Sequence, residues 1–282
     1  MMTLIADCGS TKIDWCLLNG KEKVAQIFTT GMNALLMTEE EMTARIKQEL
    51  IPHINNYPVD HIYYYGAGII SDEIKSHVTN ALKANLPNVQ QVHVDTDLLA
   101  AARALCGRKP GIACILGTGS NSCYYDGEQV AENVSPLGYI LGDEGSGATL
   151  GKMLVGDVLK RQLPQKLCEE FLTEYSLDRN TIIDYVYRKP AANRFLAQFA
   201  PFLARHIAEP AIHDLVLRAF TAFFVRNVEN YKDYQKLPCN FVGSIASHLK
   251  PTLVEAAQAR GITIGNIIQA PMEGLIKYHA AK

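Results

Sequence analysis

The sequence predicts an α/β fold of two related domains facing one another across a cleft, and three observations predict it. An apolar run, Ile112 to Leu116, ends in Gly117-Thr118-Gly119-Ser120, the tight polar end of a buried strand. Leu4-Ile5-Ala6-Asp7-Cys8 runs the same way into Gly9-Ser10-Thr11-Lys12. Each unit then continues alike: a second strand (Ile13 to Leu18; Ser122 to Tyr125), a hairpin signal (Asn19-Gly20; Asp126-Gly127) and a third strand (Lys23 to Phe28; Gln129 to Asn133). Aligning Gly9 with Gly119 brings the two hairpin signals into near register. Glycines in such turns admit positive φ and bring backbone N–H groups close to whatever lies over them, which suits a phosphate. One Gly-x-Gly turn alone would read as an ordinary strand connection; its repetition speaks for paired domains.

Composition narrows the class. The chain has 282 residues, 48% hydrophobic and 20% charged, a length that suits two domains of about 100–150 residues each. A formal net charge of −2 gives no support for nucleic-acid or anionic-membrane binding. No apolar run approaches the roughly 18 residues of a membrane helix. Asp7 interrupts the only early apolar stretch, which argues against a signal peptide. The seven cysteines are dispersed and form no Cys-x-x-Cys pair, so they read as small buried hydrophobes of a reducing cytoplasm.

In chain order, Thr29 to Asn33 is a polar loop, and Thr38 to Leu50 reads as a helix with Thr38 as N-cap and Glu41 completing a capping box. His61 to Tyr65 is a strand ending at Gly66-Ala67-Gly68, before a helix that Ser71 caps. Gln91 to Val94 is a strand, Asp95-Thr96-Asp97 follows, and Leu98 to Leu105 is helical. Asp97 reads as an N-cap or as a working carboxylate at a strand end. Cys106 to Lys109 with Pro110-Gly111 marks the boundary between domains 1–108 and 109–270. Gly142-Asp143-Glu144-Gly145-Ser146-Gly147 leads into a helix over 148–162, whose small-residue start favours a close, anionic ligand; Asp143 could equally cap that helix. Residues 164–235 are helical with breaks at Pro190, Pro201 and Pro210, and His206 and His213 read as structural or surface residues without a carboxylate cluster. Cys239 to Val242 is a strand running into Gly243-Ser244-Ile245-Ala246 and a helix over 247–260. Ile262 to Ile264 is a late strand, and a final helix follows Pro271 over 272–281.

The motifs Asp7-Cys8-Gly9-Ser10-Thr11-Lys12, Leu116-Gly117-Thr118-Gly119-Ser120-Asn121 and Gly142 to Gly147 together resemble those of the actin, hexokinase and heat-shock chaperone ATPase superfamily. They resemble most the group containing N-acetylglucosamine kinase and the BadF/BadG/BcrA/BcrD-type ATPases, and they span most of the chain in that order. The resemblance implies two ribonuclease H-like domains about a nucleotide-binding cleft, with residues 271–282 packing back on the first. It implies a cytoplasmic homodimeric kinase that uses ATP and Mg²⁺ on a small sugar, an N-acetylated amino sugar such as N-acetylglucosamine or N-acetylmuramic acid, at its 6-hydroxyl.

By the same resemblance, Gly9, Ser10, Thr11 and Lys12 with Gly117, Thr118, Gly119 and Ser120 hold the phosphates, and Asp7 holds Mg²⁺ through water. Asp97 is the catalytic base, with Asp95 as the alternative. Asn33, Asn121, Gly142 and Asp143 bind the sugar, and Gly243, Ser244, Ile245 and Ala246 the adenosine. Leu137 stands where the relatives carry a tryptophan beside the sugar, which leaves the exact sugar open. Two other readings remain. An ATPase that activates a radical dehydratase needs closely spaced cysteines for an iron–sulfur cluster, and these are missing. A non-catalytic sugar or nucleotide sensor is disfavoured because Asp7 and Asp97 are both present and no DNA-binding domain is.

Overall fold

The structure, a computed structural model, describes residues 1–9 and 12–280 and divides into two units, Met1–Arg108 with Pro271–Lys282 and Lys109–Ala270. The first unit contains β1 (Met2–Cys8), β2 (Lys12–Asn19), β3 (Glu22–Thr30), α1 (Glu39–Glu49), α2 (Ile51–Ile54), β4 (His61–Gly66), α3 (Asp72–Asn85), β5 (Gln91–Thr96) and α4 (Asp97–Cys106). Its sheet runs β3-β2-β1-β4-β5, with β1 antiparallel to β2 and parallel to β4. The central β1 is apolar almost throughout because helices cover both its faces. Leu4, Ala6 and Cys8 join Trp15, Met42 and Leu82 in one core cluster. Alternation along the strand therefore puts Ile5 and Asp7 on the other face. The last helix, Met272–Ala280, packs on α4 so closely that a Cβ on Gly274 would lie 2.4 Å from the carbonyl oxygen of Ala104. Arg103 Nη1 of α4 donates to Tyr65 Oη (2.8 Å), and that hydroxyl lies 2.9 Å from His279 Nε2 of the last helix.

The second unit contains β6 (Gly111–Leu116), β7 (Ser120–Tyr125), β8 (Val130–Glu132), α5 (Gly138–Leu141), α6 (Gly147–Leu159), α7 (Gln165–Glu174), α8 (Arg179–Tyr187), α9 (Ala192–Ala197), α10 (Ala200–Arg205), α11 (Pro210–Arg226), β9 (Cys239–Val242), α12 (Ser244–His248), α13 (Lys250–Ala259) and β10 (Ile264–Ile268). Its sheet order, β10-β9-β6-β7-β8, repeats the first sheet strand for strand, with β6 antiparallel to β7 and parallel to β9. The repeat in sequence is thus a repeat of fold. Its register differs from the expectation: Cys8 pairs with Ile13 and Leu116 with Ser120, so Gly9 corresponds to Gly117, not Gly119, and the second turn is shorter.

Other expectations also need correction. The helix expected over 247–260 begins at Ser244 and is broken at Leu249, because Pro251 has no N–H to donate and its ring crowds the preceding turn. The late strand is Ile264–Ile268, not Ile262 to Ile264. Its Gly265-Asn266 pair is a bulge made to receive Asn240, whose Oδ1 accepts the Asn266 N–H (2.9 Å) and lies 2.3 Å from where a Cβ on Gly265 would stand. His206 and His213 do face carboxylates, Glu170 at 3.1 Å and Glu255 at 2.8 Å. Each histidine has a different partner, and no group of three potential metal ligands occurs among the described residues. No helix among the described residues is long and apolar enough to cross a membrane.

Candidate active site

In the first unit Asp7 pairs across the ladder with Asp14 of β2. Burial, and then the charges of Asp97 and Asp14, push the Asp7 carboxyl up to about 7, while Lys12 pulls it down. Asp14 is itself gripped by Gln26, whose Nε2 lies 3.0 Å from each carboxylate oxygen. Asp97 opens α4 but does not cap it. Thr96 is the N-cap, its Oγ1 accepting the Leu99 N–H at 3.1 Å. Burial raises the Asp97 carboxyl, and the Leu98 N–H counters part of that. Asp95 is committed elsewhere, to Lys75 Nζ at 3.0 Å. A buried carboxylate raised further by acidic neighbours suits a hard cation, and Mg²⁺ characteristically takes one or two carboxylates and fills its shell with water and phosphate oxygens. Asp7 and its neighbours fit that donor chemistry.

The turn after β1 is closed by Gly9 N–H donating to the Lys12 carbonyl (3.0 Å). Ser10 and Thr11 lie outside the described residues. Lys12 Nζ stands 5.4 Å from the centroid of the Phe28 ring. Asn33 Oδ1 accepts the Leu35 N–H (3.1 Å) and occupies the place of a side chain at Gly68, where a Cβ would be 2.3 Å away. Ala67 N–H donates to the Cys8 carbonyl (3.0 Å). The Asn33 loop and the Gly66-Ala67-Gly68 turn therefore meet at the end of β1, beside Asp7.

In the second unit the start of α6 does not wait for an anion. Gly147 N–H donates to the Gly117 carbonyl (2.8 Å), Ala148 N–H to that of Thr118 (3.0 Å), and Thr149 N–H to the N-cap Ser146 Oγ (3.2 Å). The helix end clamps the 117–119 turn instead. Asp143 is not the cap either. It adopts a left-handed φ of 53°, and its Oδ1 accepts the Ser120 N–H at 3.2 Å. Burial raises this carboxyl, and that N–H counters it. Gly142 is required because a Cβ there would lie 2.0 Å from the Pro136 carbonyl oxygen. Leu137 is also left-handed (φ 60°) and 58% exposed. Asn121 Oδ1 accepts from Ser122 N and Asn133 Nδ2, both at 2.9 Å.

A cavity of about 450 Å³ opens within the second unit, next to Gly117 and Thr118 of the turn and Ser244 and Ile245 of α12. Gly243 and Ala246 do not line it: Ala246 is in the core, and Gly243 lies under β6. His248 and Leu249 continue the α12 side, and the opposite wall comes from Ala197, Gln198, Ala200, Pro201, Ala204 and Arg205, from the helical insert that sequence reasoning passed over. Small residues at helical spacing, Ala197, Ala200 and Ala204, were the available signal. Gly243 has φ +126°, and a Cβ there would lie 2.2 Å from the Leu116 carbonyl oxygen. Gly243→Ala is expected to destabilise the protein by about 3 kcal/mol or more, through strain and overpacking, read as a lower urea midpoint.

No protein-family model and no curated protein matches the chain. Among solved structures it is similar to a candidate N-acetylglucosamine kinase from Porphyromonas gingivalis: 47% identity, TM-score 0.96, covering 100% of this chain and 99% of that one. A second candidate N-acetylglucosamine kinase, from Chromobacterium violaceum, is 18% identical with a TM-score of 0.76 over 98% of each chain. A ROK hexokinase from Thermus thermophilus is 16% identical with a TM-score of 0.60, over 99% of this chain and 97% of that one. The last two share the fold.

Proposed function

Because the chain belongs to the N-acetylglucosamine kinase-like family of the actin and hexokinase ATPase fold, we propose that it transfers the γ-phosphoryl group of ATP to a hydroxyl of an N-acetylated amino sugar. The observation that carries this reading is the pair of raised carboxyls, Asp7 and Asp97, at the ends of β1 and β5. Asp97 accepts the proton of the attacking hydroxyl. An oxygen–phosphorus bond forms at the γ-phosphorus as its bond to the bridging oxygen breaks, ADP leaves, and the proton stays on the Asp97 carboxyl. A base whose carboxyl is raised by burial holds that proton better than an ordinary aspartate would.

Mg²⁺, held by Asp7 through its waters, would neutralise charge on the phosphates when bound. Backbone N–H groups of the Gly9–Lys12 turn beyond Gly9, and those of Thr118 and Gly119, take phosphate oxygens. Gly117 N–H already donates to the Gly119 carbonyl (3.0 Å), and Ser120 N–H to Asp143 Oδ1. The second-unit cavity takes the nucleoside against Ser244 and Ile245. Asn33, Asn121 and Asp143 orient the acceptor, with Gly142 shaping the loop and Leu137 as an apolar wall. A primary 6-hydroxyl is the least hindered nucleophile on such a ring. The dehydratase-activator reading gains nothing: Cys8, Cys16, Cys114, Cys123, Cys168 and Cys239 are buried, and a cluster shared at a surface needs accessible thiolates. Phosphorus NMR of reactions with N-acetylglucosamine and N-acetylmuramic acid should show a sugar 6-phosphate. A 1-phosphate, or inorganic phosphate alone, overturns the proposal.

A further inference from the structure

We propose that the phosphate turn of the second unit also sets the acceptor-binding carboxylate, with Gly119 and Ser120 as positioning residues for Asp143, so that occupancy of the turn is transmitted to the sugar site. This rests on the sugar-kinase reading for the word sugar, but its geometry is independent of it. The Asp143 backbone has no slack. Its N–H donates to the Pro136 carbonyl (3.0 Å), and its carbonyl accepts from Ser146 N–H (3.1 Å) and Thr149 Oγ1 (2.8 Å). Only rotation of the side chain is left, and the turn takes that away. Ser120 N–H holds Oδ1 at 3.2 Å, and Oδ2 sits over Gly119 in space that a side chain would take, 3.0 Å from where a Cβ would be. The same turn is bonded to the start of α6 through Gly117 and Thr118 and forms one wall of the cavity. One three-residue turn thus touches both ligands' sites.

The two glycines of the turn separate the roles. Neither has a positive φ, so alanine strains neither backbone. A methyl at Gly117 meets nothing within 4 Å, whereas one at Gly119 pushes the Asp143 carboxylate by a few tenths of an ångström. Steady-state kinetics of Gly119→Ala should show the sugar KM raised about tenfold, with the nucleotide KM within about twofold. Gly117→Ala should move the nucleotide KM and not the sugar KM. Asp143→Asn should absorb the effect, so that Gly119→Ala added to it raises the sugar KM no further. A Gly119→Ala effect on the nucleotide KM alone, or one additive with Asp143→Asn, overturns the proposal.

Carbon-13 NMR of the Asp143 carboxyl, assigned by its loss in Asp143→Asn, tests the same point without turnover or a known sugar. The signal should shift in Gly119→Ala, and in the native protein on adding a magnesium complex of a non-hydrolysable ATP analogue. A carboxyl signal unmoved by both overturns the coupling. A shifted signal in a protein that phosphorylates no sugar upholds the coupling and sinks only the sugar-kinase reading.

Discussion

Asp97→Asn is expected to lower turnover by about 10²–10⁴-fold while the magnesium–nucleotide complex still binds. The amide keeps the size of the side chain, and its oxygen can still accept the Leu98 N–H that meets the carboxylate. What it lacks is a base for the hydroxyl proton. The variant also removes a negative charge that raises the Asp7 carboxyl, so nucleotide affinity below neutral pH should hold or improve. Asp95→Asn gives the contrast. It breaks only a partly exposed pair with Lys75, an interaction worth about 0–1 kcal/mol, and leaves turnover within a few-fold. Initial rates together with calorimetric nucleotide titrations separate the two. An inactive Asp95 variant beside an active Asp97 variant would move the base to Asp95.

The stability of the metal-free protein should fall as pH rises from 3.8, the ordinary aspartate value, to about 7, where Asp7 titrates in the fold. Between those values the folded chain holds a proton that the unfolded chain has released. Folding is therefore favoured by acid across that window, by up to about 4 kcal/mol, and this contribution is lost as the pH passes through 7. A bound cation must displace that proton. Affinity for the magnesium–nucleotide complex should accordingly weaken by about tenfold per pH unit below 7 and level off above it. Asp7→Asn should flatten both profiles, stabilise the free protein at neutral pH and weaken magnesium–nucleotide binding. Melting curves between about pH 5 and 8, with and without the complex, measure all of this. A native profile as flat as that of the variant would remove Asp7 from the metal's shell.

Features set by chain neighbours were legible in the sequence. The capping box at Thr38 and Glu41 is present, with Glu41 N–H on Thr38 Oγ1 (3.2 Å) and Thr38 N–H on Glu41 Oε2 (2.9 Å). The paired strand–turn–strand units needed only local spacing and two hairpin signals. Features set by distant partners were not legible. The cavity wall at Ala197 to Arg205 faces Ser244 across a separation no periodicity reports. The amides opening α6 looked available for an anion because the sequence does not show that the Gly117 and Thr118 carbonyls take them. Asp143 resembled a cap because residues before a helix usually are, and only its left-handed backbone turns the carboxylate toward Ser120. The late strand reads in sequence as ending at Ile264, where it in fact begins, because the side chain that Gly265-Asn266 accommodates, Asn240, sits on a neighbouring strand.

The close seat of Gly274 over Ala104 bears on how the protein is born. Helix α4 carries Asp97 on its first residue, and one of its flanks is covered by residues 272–280. Those residues leave the ribosome only after the whole of Lys109–Ala270. At about 5–20 residues per second, synthesis of that intervening unit holds the flank bare for roughly 8–30 s. The nascent first unit therefore presents an apolar helix face to chaperones and to neighbouring nascent chains. Asp97 comes to rest against a finished scaffold only when translation has passed the last helix.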